Sequence, residues 1–205
     1  VFVWPVNEDG KSELWLASPQ RDTGYLVDKQ RFRAITSFGG FHTTFTDYDS
    51  VIWVGSNNGL VRYDPRVSKQ FTAGYLTQIR RVATIKGDSL IFGGASFPEQ
   101  APPAFPYKNR ALRFEYSLPF FEEVSQNRYQ YFLDGFDDNW SGWTGETKKD
   151  YTNMPPGEYQ FKVRAKNVYR QLSAEAAYSF SILPPWYRSI WMMLLYVLFS
   201  GAAIY

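Results

Sequence analysis

The segment GEYQFKVRAKN at residues 157–167 decides the fold class of the C-terminal half of this chain. Its apolar residues are Tyr159, Phe161, Val163 and Ala165, and they alternate with Gln160, Lys162, Arg164 and Lys166. Because successive side chains of a β-strand point to opposite faces of the sheet, this period of two predicts a strand with one buried face. Pro156-Gly157 fits a type II turn leading into that strand, since Gly accepts the positive φ of the third turn position.

The same alternation occurs in three further stretches, at residues 112–118, 129–133 and 178–182. Together these segments predict an antiparallel β-sandwich over residues 108–183, immunoglobulin-like or fibronectin-III-like. We expect Tyr131, Tyr159, Phe161 and Val163 to be largely buried in one core. Tyr159 is expected to be a tyrosine-corner residue, whose hydroxyl bonds nearby backbone.

An apolar run follows the predicted sandwich. Residues 184–189 begin with Pro184-Pro185-Trp186 and are interpreted as a stiff joint, because consecutive prolines favour polyproline II. Residues 190–205 carry no charge and predict the start of a transmembrane helix, although sixteen residues fall short of the ~20 needed to cross a bilayer. Since the run stops at Tyr205 and the chain begins at Val1, we expect the sequence to be a fragment of a longer protein.

Three similar pentapeptides precede the sandwich: LWLAS at 14–18, IWVGS at 52–56 and LIFGG at 90–94. Their central residues, Trp15, Trp53 and Phe92, are 38 and 39 residues apart. A period near 40 with short strands is typical of β-propeller blades. Residues 1–97 are therefore predicted to be the last blades of a propeller, and the proline-rich residues 98–107 a linker, because proline cannot pair within a central strand.

The composition limits the chemistry. Lys and Arg total 22 against 20 Asp and Glu, a formal net charge of +2 with both signs interspersed, so no nucleic-acid partner is expected. The absence of cysteine excludes disulfides, thiolate zinc sites and cysteine nucleophiles. With His42 as the single histidine and no G-x-S-x-G motif, we expect no catalytic residue, no metal site and no cofactor.

The stretch IWVGSNNGLVRYDP at residues 52–65 resembles the repeat of propellers in bacterial two-component regulators. YFLDGFDDNW at 131–140, YTNMPPGEYQFKVRAKN at 151–167 and SILPPWYRSIW at 181–191 resemble the Y_Y_Y domain, which joins such propellers to the membrane in sensor kinases. The family-motif residues implied are Trp15, Trp53, Gly55, Gly59, Tyr131, Gly135, Trp140, Tyr151, Pro156, Gly157, Tyr159 and Asn167, with Pro184, Pro185 and Trp186 as a relay joint. One departure is VYRQ at 168–171, where the family usually has a glycine-containing turn.

The resemblance implies the periplasmic ligand-sensing and signal-relay region of a receptor in the bacterial inner membrane. Its implied partners are a small molecule or oligosaccharide, the membrane and a second copy of the chain. This region would not itself be an enzyme, and a cytoplasmic histidine kinase would follow it. Two alternatives stay open: a membrane-anchored carbohydrate-binding or adhesion protein, and a propeller lyase or glycosidase.

Three groups of residues admit a second interpretation. Asp134, Asp137 and Asp138 could bind calcium, although Asp, Gly and Asn are ordinary turn residues. Trp140 and Trp143 could form a platform for a sugar, or they could pack in the core or at a domain interface. His42 occupies a repeat position that also accepts Trp4 and Arg81, which indicates a half-exposed strand position rather than a catalytic base.

Overall fold

The computed structural model describes residues 2–8, 11–20, 24–29, 31–38, 40–67, 74–94, 102–188 and 190–204. These residues are mainly β-strand, as the sequence predicts. The chain divides into two units. The first comprises residues 1–73 with the loops 121–126 and 167–171, and the second comprises residues 74–120, 127–166 and 172–205.

The first unit contains two three-stranded antiparallel sheets. The first sheet is formed by β1 (Phe2–Glu8), β2 (Lys11–Gln20) and β3 (Gly24–Asp28), and the second by β4 (Phe41–Thr46), β5 (Ile52–Ser56) and β6 (Gly59–Tyr63). A 3-10 turn, Arg33–Phe38, lies between the two sheets in sequence. Their shared apolar core consists of Val3, Leu14, Leu16, Phe32, Phe41, Ile52 and Val54.

Trp15 and Trp53 lie on β2 and β5, the central strands of these two sheets. The strands predicted at the first two repeat copies are therefore present. The assignment of these sheets to a propeller stays a prediction, because two sheets do not close a ring of blades.

The second unit is a sandwich of two four-stranded sheets. Its strands are β7 (Gln78–Thr84), β8 (Leu90–Phe92), β9 (Ala104–Phe105), β10 (Leu112–Ser117), β11 (Arg128–Asp134), β12 (Lys148–Tyr151), β13 (Gly157–Lys166) and β14 (Ala176–Ile182). One sheet has the order β12-β10-β7-β8 and the other β11-β13-β14-β9. The sheets meet through aromatic rings, with Phe114 stacked on Phe161 at 4.2 Å between centroids.

The predicted boundaries of the sandwich were wrong. β7 pairs antiparallel with β10, so the third repeat copy, with Phe92 on β8, belongs to the sandwich and not to a blade. Part of the predicted linker is also a strand, since β9 pairs parallel with Ser181 and Ile182 of β14. A β7-β8 hairpin has the same local pattern as a blade hairpin, and that pattern does not specify the distant partner strand.

The turn before β13 also differs from its prediction. Gly157 is the first residue of β13 and does not have a positive φ, so Pro156-Gly157 is not a type II turn. The left-handed residue of this connection is Asn153, with φ 56°. Asparagine tolerates the left-handed region of φ better than most residues, so Asn153 can adopt the positive φ that was predicted for glycine.

The chain ends in a 3-10 turn, Trp186–Arg188, and in helix α1 (Ile190–Ile204). The helix predicted after the joint is therefore present, with 15 residues. In the part of the chain that the structure describes, no helix has both the length and the apolar character required to span a bilayer. The membrane-crossing part of the prediction is not confirmed.

Candidate functional site

Tyr159 forms the predicted tyrosine corner. Its hydroxyl donates a hydrogen bond to the backbone oxygen of Pro155 at 2.7 Å, and its buried ring stacks on Phe180 at 5.4 Å. Gly135 is required beside it, because a Cβ at this position would lie 2.8 Å from the Glu158 oxygen and 3.2 Å from Tyr159 Cδ1. The Gly135 φ of 89° is a second reason for glycine. These contacts hold the DGFDD turn against the start of β13.

The same turn is joined to β12 by Tyr151. The Tyr151 hydroxyl donates to Asp137 Oδ2 at 2.6 Å, and the Leu133 N–H donates to the same oxygen at 2.9 Å. Burial, and then the hydrogen bond to Asp137, raise the pKa of Tyr151. Phe136 packs edge-on against the Tyr151 ring at 5.7 Å. Asp137 is therefore a structural acceptor between two strands.

The carboxylates of this turn do not converge as a calcium site would require. Asp137 Oδ2 is occupied by Tyr151 and Leu133, and Asp134 Oδ2 forms an ion pair with Lys162 Nζ at 3.1 Å. Within the described ranges, no three His, Cys, Asp or Glu side chains group as metal ligands. These partners favour the interpretation of a structural turn.

Tyr131 departs from its prediction. Tyr159, Phe161 and Val163 are buried as predicted, whereas Tyr131 is only half-buried on β11. Lys149 Nζ lies 5.0 Å from the Tyr131 ring centroid. The alternation on β11 places Tyr129 and Leu133 in the core, whereas Tyr131, between them on the same face, stays partly open on a strand that lies at the edge of its sheet.

Trp140 and Trp143 lie on the outer face of the β11-β13 sheet, packed by cations. Trp140 contacts the Phe132 ring at 5.7 Å, and Arg164 Cζ lies 4.3 Å from its centroid. Lys166 Nζ lies 4.2 Å from the Trp143 centroid. Each indole therefore has a cation over its ring, as in cation–π pairs. The sequence left two alternatives for these indoles, packing in the core or at a domain interface and a platform for a sugar; the structure shows packing on the sheet surface under two cations.

Asn167 organises the loop 167–171 of the first unit. Its buried side-chain oxygen accepts hydrogen bonds from the N–H groups of Tyr169 and Gln171, each at 3.0 Å. Tyr169 donates its hydroxyl to Glu122 Oε2 at 2.6 Å, which joins this loop to the loop 121–126. Arg170 has φ 61° and so occupies the left-handed position that the family usually gives to glycine.

The motif residues of the first unit have structural contacts. Lys29 Nζ lies 3.6 Å from the Trp15 ring, and Arg62 Cζ lies 5.9 Å from the Trp53 ring. A Cβ at Gly55 would lie 2.9 Å from Thr43 Cγ2, and Gly59 begins β6. His42 is exposed at the irregularity where β4 shifts its register against β5, and it bonds the Asn57 side chain.

The joint between β14 and α1 is hydrogen-bonded to the sandwich at its start, and a 3-10 turn follows within it. The Leu183 N–H donates to the Phe105 oxygen of β9 at 2.8 Å, and the Arg188 N–H donates to the Pro185 oxygen at 2.9 Å. Pro185 is buried, whereas Pro184 is exposed and Trp186 is 73% exposed. Sequence reasoning missed β9, because a two-residue parallel strand inside a proline-rich segment leaves no periodic signal.

The family comparison matches a segment within the C-terminal half of the chain, which contains most of the sandwich. The Y_Y_Y domain family matches residues 121–183. A curated relative named Histidine kinase P4, from Formosa agariphila, is 25% identical over 221 residues, a match that covers 98% of this chain and 16% of the relative. The chain therefore spans about one sixth of the length of this relative.

Two solved structures are similar. The extracellular domain of the hybrid two-component system BT3049 from B. thetaiotaomicron superposes with TM-score 0.57 and 16% identity, covering 88% of this chain and 26% of that one. The corresponding domain of BT4673 from the same organism has TM-score 0.47 and 19% identity, with 86% and 24% coverage. The first likeness supports the fold alone. Residues 121–183 thus match the Y_Y_Y domain family, and the first solved structure is similar to this chain in fold.

Proposed function

We propose that this chain is the extracytoplasmic ligand-sensing and signal-relay region of a membrane-bound two-component sensor. In this proposal the sandwich couples a propeller, of which the first unit is part, to α1. The receptor works as a homodimer in the bacterial inner membrane, its ligand is a small molecule or an oligosaccharide, and a cytoplasmic histidine kinase follows α1. The Y_Y_Y match and the likeness to Histidine kinase P4 support this assignment.

The observation that carries the proposal is the fixed joint between the sandwich and α1. Leu183 is hydrogen-bonded to β9, and Pro185 is buried and accepts the Arg188 N–H. Two prolines have fixed φ angles, so the segment from Leu183 to the buried Pro185 has few soft dihedrals. A displacement of the sandwich would therefore be passed to α1, whereas a glycine-rich linker would absorb it.

The surface of α1 supports attachment to a membrane. The helix has no charged residue, and its exposed side chains include Met193, Leu194, Leu195, Tyr196, Leu198 and Phe199. Four consecutive residues of this set, 193–196, cover every side of a helix with 3.6 residues per turn. A helix that is apolar all round requires an apolar environment, which the proposal assigns to the bilayer.

Relay further requires two arrangements whose balance the ligand shifts through differential affinity. In a dimer, the distance or angle between the two α1 helices is the quantity that would differ between those arrangements. The kinase would then respond to this change at the cytoplasmic end of the two helices.

The direct test combines a truncated fusion, which reports the cell compartment, with the response of the host that carries the complete gene. In the first experiment, alkaline phosphatase, which is active only outside the cytoplasm, is fused after Arg188. In the second experiment, transcription is measured during growth on a panel of oligosaccharides, with a gene-deletion strain as control. The proposal expects an active fusion and at least one oligosaccharide whose transcriptional response disappears in the deletion strain. An inactive fusion, or identical transcription in both strains on every oligosaccharide, would contradict it. Binding without any transcriptional response would instead favour the adhesion protein.

A further inference from the structure

Three connections of the sandwich meet at the end from which α1 leaves. The segment 106–111 follows β9 in the same direction as residues 183–185 follow β14, because these two strands are parallel. The Ala111 oxygen accepts the Ile85 N–H at 3.0 Å, and the Arg110 oxygen accepts the Met154 N–H at 3.1 Å. The β7-β8 turn, the β9-β10 connection and the β12-β13 connection therefore share this end with the joint.

This end carries four cations that are free of ion pairs within the described ranges. Lys86 is in the β7-β8 turn, Lys108 and Arg110 are between β9 and β10, and Arg188 precedes α1. Lys86, Lys108 and Arg188 are exposed. Arg110 is held in place by Tyr107, whose hydroxyl accepts from Arg110 Nη1 at 2.6 Å and whose ring lies 4.6 Å from Arg110 Cζ.

Most carboxylates at the same end of the sandwich have a hydrogen-bond or ion-pair partner, whereas the four cations form no ion pair in the described part of the chain. Asp88 is paired with Arg81 at 2.8 Å, Asp134 with Lys162 and Asp150 with Arg113, and Asp137 accepts from Tyr151. The remaining two, Asp138 and Glu158, belong to the β11 and β13 connections. The four cations lie in the connections of β7, β9 and β14; β9 pairs directly with β14, and β7 contacts β14 from the facing sheet.

Aromatic residues complete the surface. Trp186 and Tyr187 are 73% and 44% exposed, and their rings meet edge-on at 6.0 Å. Trp and Tyr at the start of an apolar helix are the residues that prefer the headgroup level of a bilayer. Cations beside them would lie at the same depth as lipid phosphates.

We propose that Lys86, Lys108, Arg110 and Arg188 form a docking surface for anionic phospholipid headgroups, so that the sandwich rests on the membrane on its β7-β9-β14 side. This inference rests on the proposed attachment of α1 to a membrane. Each Lys or Arg beside an anionic surface strengthens binding by about fivefold. Such contact would act together with the stiff joint in setting the tilt of the sandwich relative to α1.

The test is amine acylation of the intact chain reconstituted in vesicles of phosphatidylcholine alone or with 30% phosphatidylglycerol. Mass spectrometry measures the labelling rate of Lys86 and Lys108. Lys148 and Lys166, at the starting edge of β12 and the far end of β13, are internal controls in the same sample. The proposal expects Lys86 and Lys108 to label about fivefold more slowly in the anionic vesicles, with little change at the two controls.

Equal labelling in both vesicles would overturn the docking surface while leaving the attachment of α1 intact. Equal protection of all four lysines would also overturn it, because the attraction would then depend on net charge and not on this end. Failure of the chain to float with either vesicle would overturn both proposals. As a second measurement, the Lys86→Gln/Lys108→Gln variant should lose the protection by phosphatidylglycerol at salt concentrations where the Lys148→Gln/Lys166→Gln variant keeps it.

Discussion

The Tyr151 hydroxyl donates a 2.6 Å hydrogen bond to Asp137 Oδ2, and this bond joins strand β12 to the DGFDD turn at the end of β11. The two residues belong to opposite sheets of the sandwich. Asp137 also accepts the Leu133 N–H, so one carboxylate oxygen connects the turn, its own strand and the facing sheet. Tyr151, one of the residues that the Y_Y_Y resemblance implies, thus connects the two sheets.

This connection predicts an order of stability among three variants. Tyr151→Phe removes a hydrogen bond to a charged acceptor and should cost about 1.5–3 kcal/mol. Asp137→Ala leaves both the Tyr151 hydroxyl and the Leu133 N–H unpaired and should cost more, whereas Asp137→Asn keeps an acceptor oxygen and should cost least. Denaturant unfolding of the three variants measures this order. Equal stability of Asp137→Ala and the unmodified chain would show that the bond does not form in solution.

Two variants of Tyr159 separate the contribution of its hydroxyl to stability from the contribution of its ring. Tyr159→Phe loses only the bond to Pro155 and should cost about 0.5–1.5 kcal/mol. Tyr159→Ala also removes the ring stacked on Phe180 and should cost about 3–5 kcal/mol, as an aromatic truncation in a core. Thermal and urea unfolding of both variants give the two values. Identical melting temperatures for the Ala variant and the unmodified chain would contradict the tyrosine corner.

Two neighbouring core tyrosines should respond in opposite directions. The Tyr116 hydroxyl is buried with no protein partner among the described residues, whereas the Tyr129 hydroxyl accepts the Leu118 N–H at 3.1 Å. Tyr116→Phe should therefore be neutral or slightly stabilising, and Tyr129→Phe should cost about 1–3 kcal/mol because it leaves a buried N–H unpaired. The rings are 5.2 Å apart, so each is a matched control for the other. Equal losses in both variants would contradict this hydrogen bonding.

Burial of tyrosines also predicts a loss of stability at alkaline pH. Burial raises the pKa of Tyr178 to about 12, and it raises the pKa of Tyr116 and of Tyr151 as well. The unfolded chain, with ordinary tyrosine pKa values near 10, then releases protons before the folded chain does. The contribution of these groups is complete below about pH 10 and is lost as the pH rises towards 12.

Urea midpoints measured between about pH 9 and pH 11.5 test this dependence, with Tyr178→Phe as a variant that should flatten it. Lysines also titrate in this pH range. The contribution of Tyr178 is therefore read from the difference in pH dependence of the urea midpoint between the variant and the unmodified chain. The same slope in both proteins would contradict the contribution of Tyr178.

The sequence pattern predicted part of this structure and missed another part for identifiable reasons. The alternation around Phe161 was sufficient for β13, because burial of one face has a local period. The placement of Phe92 was wrong, because the pattern of a hairpin does not reveal that β7 pairs with β10, 28 or more residues further along the chain. The turn position was also wrong: Gly157 was predicted to have the positive φ of this connection, and Asn153 has it instead.

Side-chain partners on the sheet surface were beyond prediction from the sequence. The stacking of Arg164 on Trp140 depends on β11 and β13 pairing in one register, with Gln130 opposite Arg164. The Tyr151 to Asp137 bond depends likewise on how two sheets face each other. Composition and spacing identify the residues, but only the register decides which pairs meet.

The most direct measurement of the relay is ligand-dependent autophosphorylation of the complete receptor in membrane vesicles, with Pro184 and Pro185 both replaced by glycine. The matched control replaces Pro102 and Pro103 by glycine, which makes the same chemical change beside β9 and outside the joint to α1. Because a flexible joint absorbs the displacement of the sandwich, the joint variant should bind ligand with nearly unchanged affinity and lose most of the ligand-dependent signal, while the control keeps it. A joint variant that signals with normal amplitude would contradict the relay through a stiff connection and would leave the joint as a spacer.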